Sequence, residues 1–423
     1  MKLKHIKTEG DFSMNIMSKS KNIVVLFILT TLLISSISSD NTYAAKKDGF
    51  VYKIKKNKAY IMDYKGKKTK LVIPQKLKGK PVVFVAINSK KIKSINFTKA
   101  KSLRKIECSS SGVKKINVTK NKKLTYLNCS STKIKSLNVK KNKALKTLYC
   151  GDTQIKKINL TRNKKLKSLV INDTKISKLN LKKNKHLTDL YCFSTRLKKL
   201  DVLNNKKLVT LNCSRNSKLT TLKLNKNIRN VYSSSCKIRS IDIGMMPKLN
   251  SLNLQANMLS SINTNSAPNL KNLNISSNNI QTLYTSKNHK LRTLYCSGNR
   301  ISMLDLKNNQ SLQELRCSGN NMASIDVSEN ELLFILDCGR NNLSVLNLNS
   351  NTNLEILQCN NNTITSLDLS KNINLYTINI AFNPTLTVDV TANKNLSLLT
   401  YSPKGEEVTV DLENTATRVF SNQ

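Results

Sequence analysis

The chain is 423 residues long and carries 72 Lys and Arg against 24 Asp and Glu, a formal net charge of +48. That excess excludes a charge-balanced surface and points to anionic partners or surroundings. With three His and no Trp in the whole length, no nucleophile, base and orienting group recur as a set, so an enzyme has little support.

The chain opens on a basic stretch with Lys19 and Lys21, then the apolar run IVVLFILTTLLI from Ile23 to Ile34, then SSISSDNTYAA. This is the layout of a secretory signal peptide. Residues 1–44 are read as one, cleaved after Ala44, with Met14 or Met17 as alternative starts. The run is about 12 residues, whereas a membrane-spanning helix needs roughly 20. No membrane span is expected, and the mature chain is expected to be secreted or cell-surface associated.

Beyond the leader the charge divides sharply. Residues 41–240 hold 54 Lys and Arg against 7 Asp and Glu, whereas residues 241–423 hold 13 against 14. All of the excess belongs to one half.

From residue 82 the chain repeats itself. Aligned on cysteine, successive units place Cys108, Cys129, Cys150, Ile171, Cys192 and Cys213 at a step of 21. One step of 20 reaches Ser233, and Leu254, Ile275, Cys296, Cys317, Cys338, Cys359 and Ile380 follow at 21 again. Each unit reads L-x-x-L-x-C-x-x-(N/T)-x-(I/L)-x-x-L-x-L-x-x-N-x-x, as in Leu124, Leu127, Cys129, Thr132, Ile134, Leu137, Val139 and Asn142. Looser units flank the series, at Val82, Val85 and Ile87 and at Leu396, Leu399 and Tyr401. The L-x-L and L-x-C pairs alternate with period 2, which predicts short strands. Two strands in 21 residues leave no room for a helix of ordinary length.

The pattern resembles the leucine-rich repeat, in the short bacterial variety with L-x-x-L-x-C-x-x-N followed by L-D-L-x-x-N. The resemblance covers residues 82–401 and implies a β-rich solenoid: a parallel sheet along one face, a second short strand per coil, and little or no helix. It also implies that partners bind the outward residues of the first strand. Ahead of the solenoid, KLVIPQKLKGKPV (Lys70 to Val82) resembles the start of another bacterial surface repeat, I-P-x-x-x-x-G-x-x-V. Residues 45–81 are read as a strand-rich N-terminal cap, and residues 402–423 as a C-terminal cap or tail.

Two Asn rows, Asn257 to Asn362 in one turn and Asn121 to Asn330 in the other, are expected to satisfy turn backbone with both amide donor and acceptor. In the first half Ser111, Thr132, Thr153, Thr174 and Thr195 replace Asn in one of these turns. Nine of the ten cysteines share one inward position. Neighbours there would lie about 4.8 Å apart with parallel Cβ vectors, which does not suit a disulfide, and sister coils fill the position with Ile or Leu. A ladder of buried thiols is expected, with no disulfide, no metal site and no cofactor.

Function is placed on two surfaces. The sheet face offers Tyr126, Asn128, Tyr149, Tyr191, Tyr232, Tyr295 and Arg316, residue types favoured in recognition, although Tyr is also simply a good strand former. A second zone is basic: Lys135, Lys156 and Lys157 on the second strand, and Lys140, Lys141, Lys143, Lys164, Lys165, Lys182, Lys183 and Lys185 in the loops. These rows are either a solvated face or a track for an anionic polymer, whose binding would release counterions. The reading is an exported, monomeric, non-enzymatic binding or adhesion protein with a protein or glycan ligand and an anionic cell-wall or matrix polymer as partners. The alternative is a structural envelope scaffold.

Overall fold

The computed structural model describes residues 45–384, 386–402, 405–411 and 419–422; the leader read from residues 1–44 lies outside them. Each coil contributes a three-residue strand that pairs in parallel with its counterpart one coil on. Tyr126–Asn128 pairs residue for residue with Thr147–Tyr149, and that with Ser168–Val170. The same register carries the ladder from Lys105–Glu107 to Leu398–Tyr401. No α-helix occurs among the described residues.

The strands are short because the coil must turn at once. The residue two beyond the cysteine position takes a left-handed φ, 51° at Ser110, 53° at Ser131, 49° at Asp152 and 53° at Asp173. Small polar residues tolerate this conformation best after glycine, and Gly298 and Gly319 occupy the same turn with φ of 65° and 62°. Opposite the sheet, second strands form short parallel ladders at Ser94–Asn96 with Lys115–Asn117, Lys199–Asp201 with Thr221–Lys223, and Ser261–Asn263 with Thr282–Tyr284.

Between the two faces lies one continuous core. In the coil around Cys129, the side chains of Leu124, Leu127, Cys129, Ile134, Leu137 and Val139 are all buried. At about 1.5–3 kcal/mol per fully buried aliphatic side chain, these stacked rows supply most of the favourable energy. All ten cysteines are buried and free. Burial pushes the thiols of Cys150, Cys213, Cys296 and Cys359 up to about 12, so they remain protonated and pack as small apolar groups.

Two asparagine ladders tie coil to coil, by different means. In the turn after the sheet strand, Asn299 Nδ2 donates to the Ile275 carbonyl of the preceding coil at 3.0 Å and to the Cys296 carbonyl of its own at 2.8 Å, while its Oδ1 accepts from Ile280 N at 3.0 Å. Thr174, at the same position in the first half, donates Oγ1 within its own coil, to the Ile171 carbonyl at 2.8 Å. In the loop turn, Asn142 Nδ2 donates to Val118 O and Asn121 O of the preceding coil, both at 2.9 Å. Its Oδ1 has no partner among the described residues, like those of Asn121, Asn163, Asn184 and Asn205. The expectation of a two-way amide therefore holds for the first ladder and fails at these positions of the second, where the nitrogen alone satisfies two turn carbonyls that no strand reaches; further along, Asn288 and Asn309 do accept on Oδ1, from Thr264 and Thr285 Oγ1.

Both ends of the sheet are extended by antiparallel strands. Ala45–Lys47, Phe50–Lys55 and Lys58–Tyr64 form a meander whose last strand joins Lys80–Ala86 in parallel. At the other end Val408–Asp411 pairs with Leu398–Tyr401, and Val419–Ser421 with Thr387–Asp389. Asn422 then supplies a final ladder rung, donating to Ile380 O at 2.9 Å and Asn383 O at 3.0 Å. Such strands cover edges that would otherwise pair with other chains.

Candidate functional site

Because the strands are in register, residues 21 apart form straight columns across the sheet face, one column per outward position. The column just before the cysteine contains Tyr149, Tyr191, Tyr232 and Tyr295, while Tyr126 stands at the other outward position of its strand, beside Thr147. Near the N-terminal end they form one cluster around a buried carboxylate. Glu107, 5% exposed, accepts from Tyr126 Oη at 3.1 Å, Asn128 Nδ2 at 3.0 Å and Ser109 N at 3.1 Å. Tyr126 meets the Tyr149 ring edge-on, with centroids 5.8 Å apart. Burial, and then the Glu107 carboxylate, push the Tyr126 phenol well up. Asn128 does not offer a free amide, contrary to its place among the recognition candidates. It is 5% exposed, its nitrogen is held by Glu107 and its Oδ1 accepts from Ser130 N at 3.0 Å. Tyr191 and Tyr232 follow in the same column, half-buried.

A second polar cluster sits near the middle of the face. Tyr295 Oη donates to the Glu314 carboxylate, and the Arg316 guanidinium lies 5.6 Å from the Tyr295 ring centroid, within cation–π range. The Tyr295 phenol is pushed up to about 12, chiefly by burial and then by Glu314. Arg316 stands directly beside Asp337 in the ladder. Burial raises the Asp337 carboxyl, against the lowering effect of Ser318 Oγ, which donates to it at 3.0 Å. The structure therefore brings Tyr295 and Arg316 together, and Tyr126 with Tyr149, but these two groups are separate.

Sequence reasoning missed the C-terminal third of the face. Ile335 and Ile356 are ladder neighbours there. Phe334, Glu355 and Tyr376 form the adjoining column, with Glu355 N bonded to Phe334 O at 2.9 Å and Tyr376 N to Glu355 O at 3.0 Å. Tyr376 is 41% and Leu398 40% exposed. Clustered exposed apolar residues of this kind mark interaction surfaces. The signal was present in the two outward positions ahead of L-x-C, which the cysteine-based reading passed over.

The lysine candidates are all exposed and fall into two groups. Lys135 and Lys156 form one row on the back with Lys157 beside it, and Lys178, Lys198 and Lys199 continue that surface. The loop lysines form longer rows. Lys143, Lys164 and Lys185 lie in a line that starts at Lys101 and Lys122 and ends at Lys206, one per coil over six coils. Lys141 and Lys183 flank Arg162 in a second line, with Lys140, Lys165 and Lys182 alongside. Neighbours in a row are about 4.8 Å apart at the backbone. The loop rows do not stand apart from the sheet: Lys146 N bonds to Thr125 O at 2.8 Å and Lys167 N to Lys146 O at 2.7 Å, so exposed lysines lead into its edge. Among the described residues no group of three or more His, Cys, Asp or Glu could hold a metal, and no helix is long and apolar enough to cross a membrane.

No protein-family profile matches the sequence, and no curated protein is significantly similar to it. Solved structures do match. The functional domain of InlJ from Listeria monocytogenes, which includes a cysteine ladder, is 27% identical with a TM-score of 0.63, covering 68% of this chain and 66% of that one. A leucine-rich-repeat protein of Leptospira interrogans is 22% identical, TM-score 0.57, covering 75% and 88%. YopM from Yersinia enterocolitica is 18% identical, TM-score 0.53, covering 71% and 68%. The last two likenesses concern the fold alone.

Proposed function

We propose, on the premise that the chain is a leucine-rich-repeat solenoid, that it is an exported binding protein with two zones. The sheet face recognises a protein or glycan, and the basic N-terminal half holds the molecule to an anionic polymer of a cell wall or matrix. The observation that carries this reading is the contrast in make-up between two adjoining surfaces. Cationic rows run through six consecutive coils, whereas the sheet face presents half-buried tyrosines, an Arg–Tyr–Glu cluster and an apolar end. Half-buried aromatic and Arg side chains lose little entropy on binding, which suits a recognition surface. Unit charges about 5 Å apart in water repel by roughly 0.8 kcal/mol before screening, so a lysine array of this density gains from a polyanion.

The test uses the mature chain on immobilised envelope material and on an anionic resin, at low and high salt. Retention should fall steeply with salt and should drop when Lys143, Lys164 and Lys185 are changed to Gln. Replacing Tyr149, Tyr191 and Tyr232 by Ser should leave retention intact and abolish capture of the sheet-face ligand. Retention indifferent to salt and to the lysine changes would reject the polymer zone. Capture indifferent to the tyrosine changes would favour an envelope scaffold.

A further inference from the structure

Where the loop lysine row ends, the solenoid contains a register fault. In regular coils the second-strand leucine and the loop asparagine are five positions apart, as in Leu137 to Asn142 and Leu200 to Asn205. In the next coil Leu222 and Asn225 are three apart, and one residue is added upstream, between Asn216 and Leu219. Two loop residues are therefore missing between full-length neighbours. Their absence leaves a cleft of about 300 Å³, walled by Leu203 and Lys206 on one side and by Asp242 and Met245 on the other, over a floor of Leu224 and Asn225.

Two features set this cleft apart from an accident of packing. Leu203 and Met245 are 48% and 78% exposed, and Leu203 stands where preceding coils carry Thr98, Thr119, Lys140, Thr161 and Lys182. Asn225 is 3% exposed and its Nδ2 has no partner among the described residues. One coil earlier, Asn205 Nδ2 donates to Leu181 O at 3.1 Å and Asn184 O at 2.9 Å. The shortened loop carries Asn225 out of reach of the equivalent carbonyls. A buried donor without an acceptor costs about 1–3 kcal/mol, and a ligand acceptor would remove that cost.

We propose that the cleft binds a small amphiphilic anion, an aliphatic carboxylate. Its chain lies against Leu203, Leu224, Ile243 and Met245, and its head accepts from Asn225 Nδ2 between Lys206 and Lys226. The donor and the two lysines call for an acceptor of negative charge. Asp242 also lines the cleft, with its Oδ1 accepting from Gly244 N at 2.8 Å, and its single negative charge is outweighed by Lys206 and Lys226. The volume, at the low end for ligand sites, suits a single short chain. This site lies off the sheet face and shares Lys206 alone with the loop lysine row.

Equilibrium titration of the full chain with sodium octanoate tests it. Saturable binding at one site is expected, weakened at least tenfold by Asn225→Leu and abolished by Met245→Asp, a change at an exposed position that leaves the core alone. Octan-1-ol, which lacks the charge, should bind at least tenfold more weakly; octyl phosphate binding better than octanoate would overturn the carboxylate assignment. Lys143→Gln should leave octanoate binding unchanged. Absence of saturable binding, or binding indifferent to both cleft variants, would overturn the proposal.

Discussion

Raising the pH to about 9.5 should destabilise this protein strongly although most lysines, with an ordinary pKa near 10.4, are still charged there. Nine ladder thiols are buried in the core. An unfolded thiol titrates near 8.5, whereas burial holds Cys150, Cys213, Cys296 and Cys359 at about 12 in the fold and raises Cys129, Cys192, Cys317 and Cys338 well above the ordinary value. A group whose folded pKa is raised keeps its full contribution below the unfolded pKa. It loses that contribution as pH climbs from there toward the folded value, because the unfolded chain alone releases the proton. One unit above 8.5 each thiol favours the unfolded chain by about 1.4 kcal/mol. Nine of them amount to on the order of 12 kcal/mol, comparable with the whole stability of an ordinary domain.

Denaturant midpoints followed by circular dichroism from about pH 7.5 to about pH 9.5, under a thiol reductant, measure this. The wild-type midpoint should fall steeply above about 8.5. A variant with Cys296, Cys317, Cys338 and Cys359 all changed to Val should fall less, since four of the rungs no longer titrate; sister coils already carry Ile171 and Ile275 there. A midpoint flat across the range, or equal slopes for the two proteins, would refute the reasoning.

Two further outcomes follow from the coil contacts. Thr174→Asn should stabilise the protein by about 1–3 kcal/mol, judged from net hydrogen-bond values. The new amide would reach Cys150 O of the preceding coil and accept from Ile155 N, as Asn299 does with Ile275 O and Ile280 N; an unchanged or lower midpoint would count against the ladder account. Added sodium chloride should slow hydrogen exchange in the coils from Cys108 to Cys213 and leave those from Cys296 to Cys359 little changed, because the charge to be screened lies in the first half. Equal response of both halves would reject that distribution of strain.

Much of the fold was legible because a repeat multiplies weak signals. One L-x-C pair is ambiguous between strand and helix, but fourteen in register fix which residues face inward, and the structure buries them. What the period could not convey was the partnering of polar groups. Asn128 and Tyr149 occupy the same column, yet Asn128 is closed off because Glu107 sits one coil before it. Likewise the loop asparagines look alike in sequence to those of the other turn, and only the geometry shows the oxygens of most of them, such as Asn142 and Asn351, unpartnered. The apolar patch at Phe334, Ile335 and Ile356 went unread for a different reason: alignment on the cysteine drew attention to one outward position of three. The cleft at Asn225 arises from an insertion and a larger deletion that nearly cancel, so in the cysteine register it registers merely as a step of 20 in place of 21.

The basic half and the threonine half are the same half, and this gives the polymer zone an energetic logic. From Ser111 to Thr195 the turn ladder lacks the inter-coil amide bonds present from Asn257 to Asn383, each a contribution of about 0.5–1.5 kcal/mol. The same coils hold the lysine rows, whose mutual repulsion of roughly 0.8 kcal/mol per close pair in water acts directly against stacking. In a solenoid, stability is a sum of unit and neighbour terms, so these coils are held together less tightly than those beyond residue 250. A polyanion along the rows would offset the repulsion where the stacking is weakest, and mass action would return that gain as stability of the folded coils. The neutral half, with its Asn ladder complete and its charges balanced, needs no such compensation.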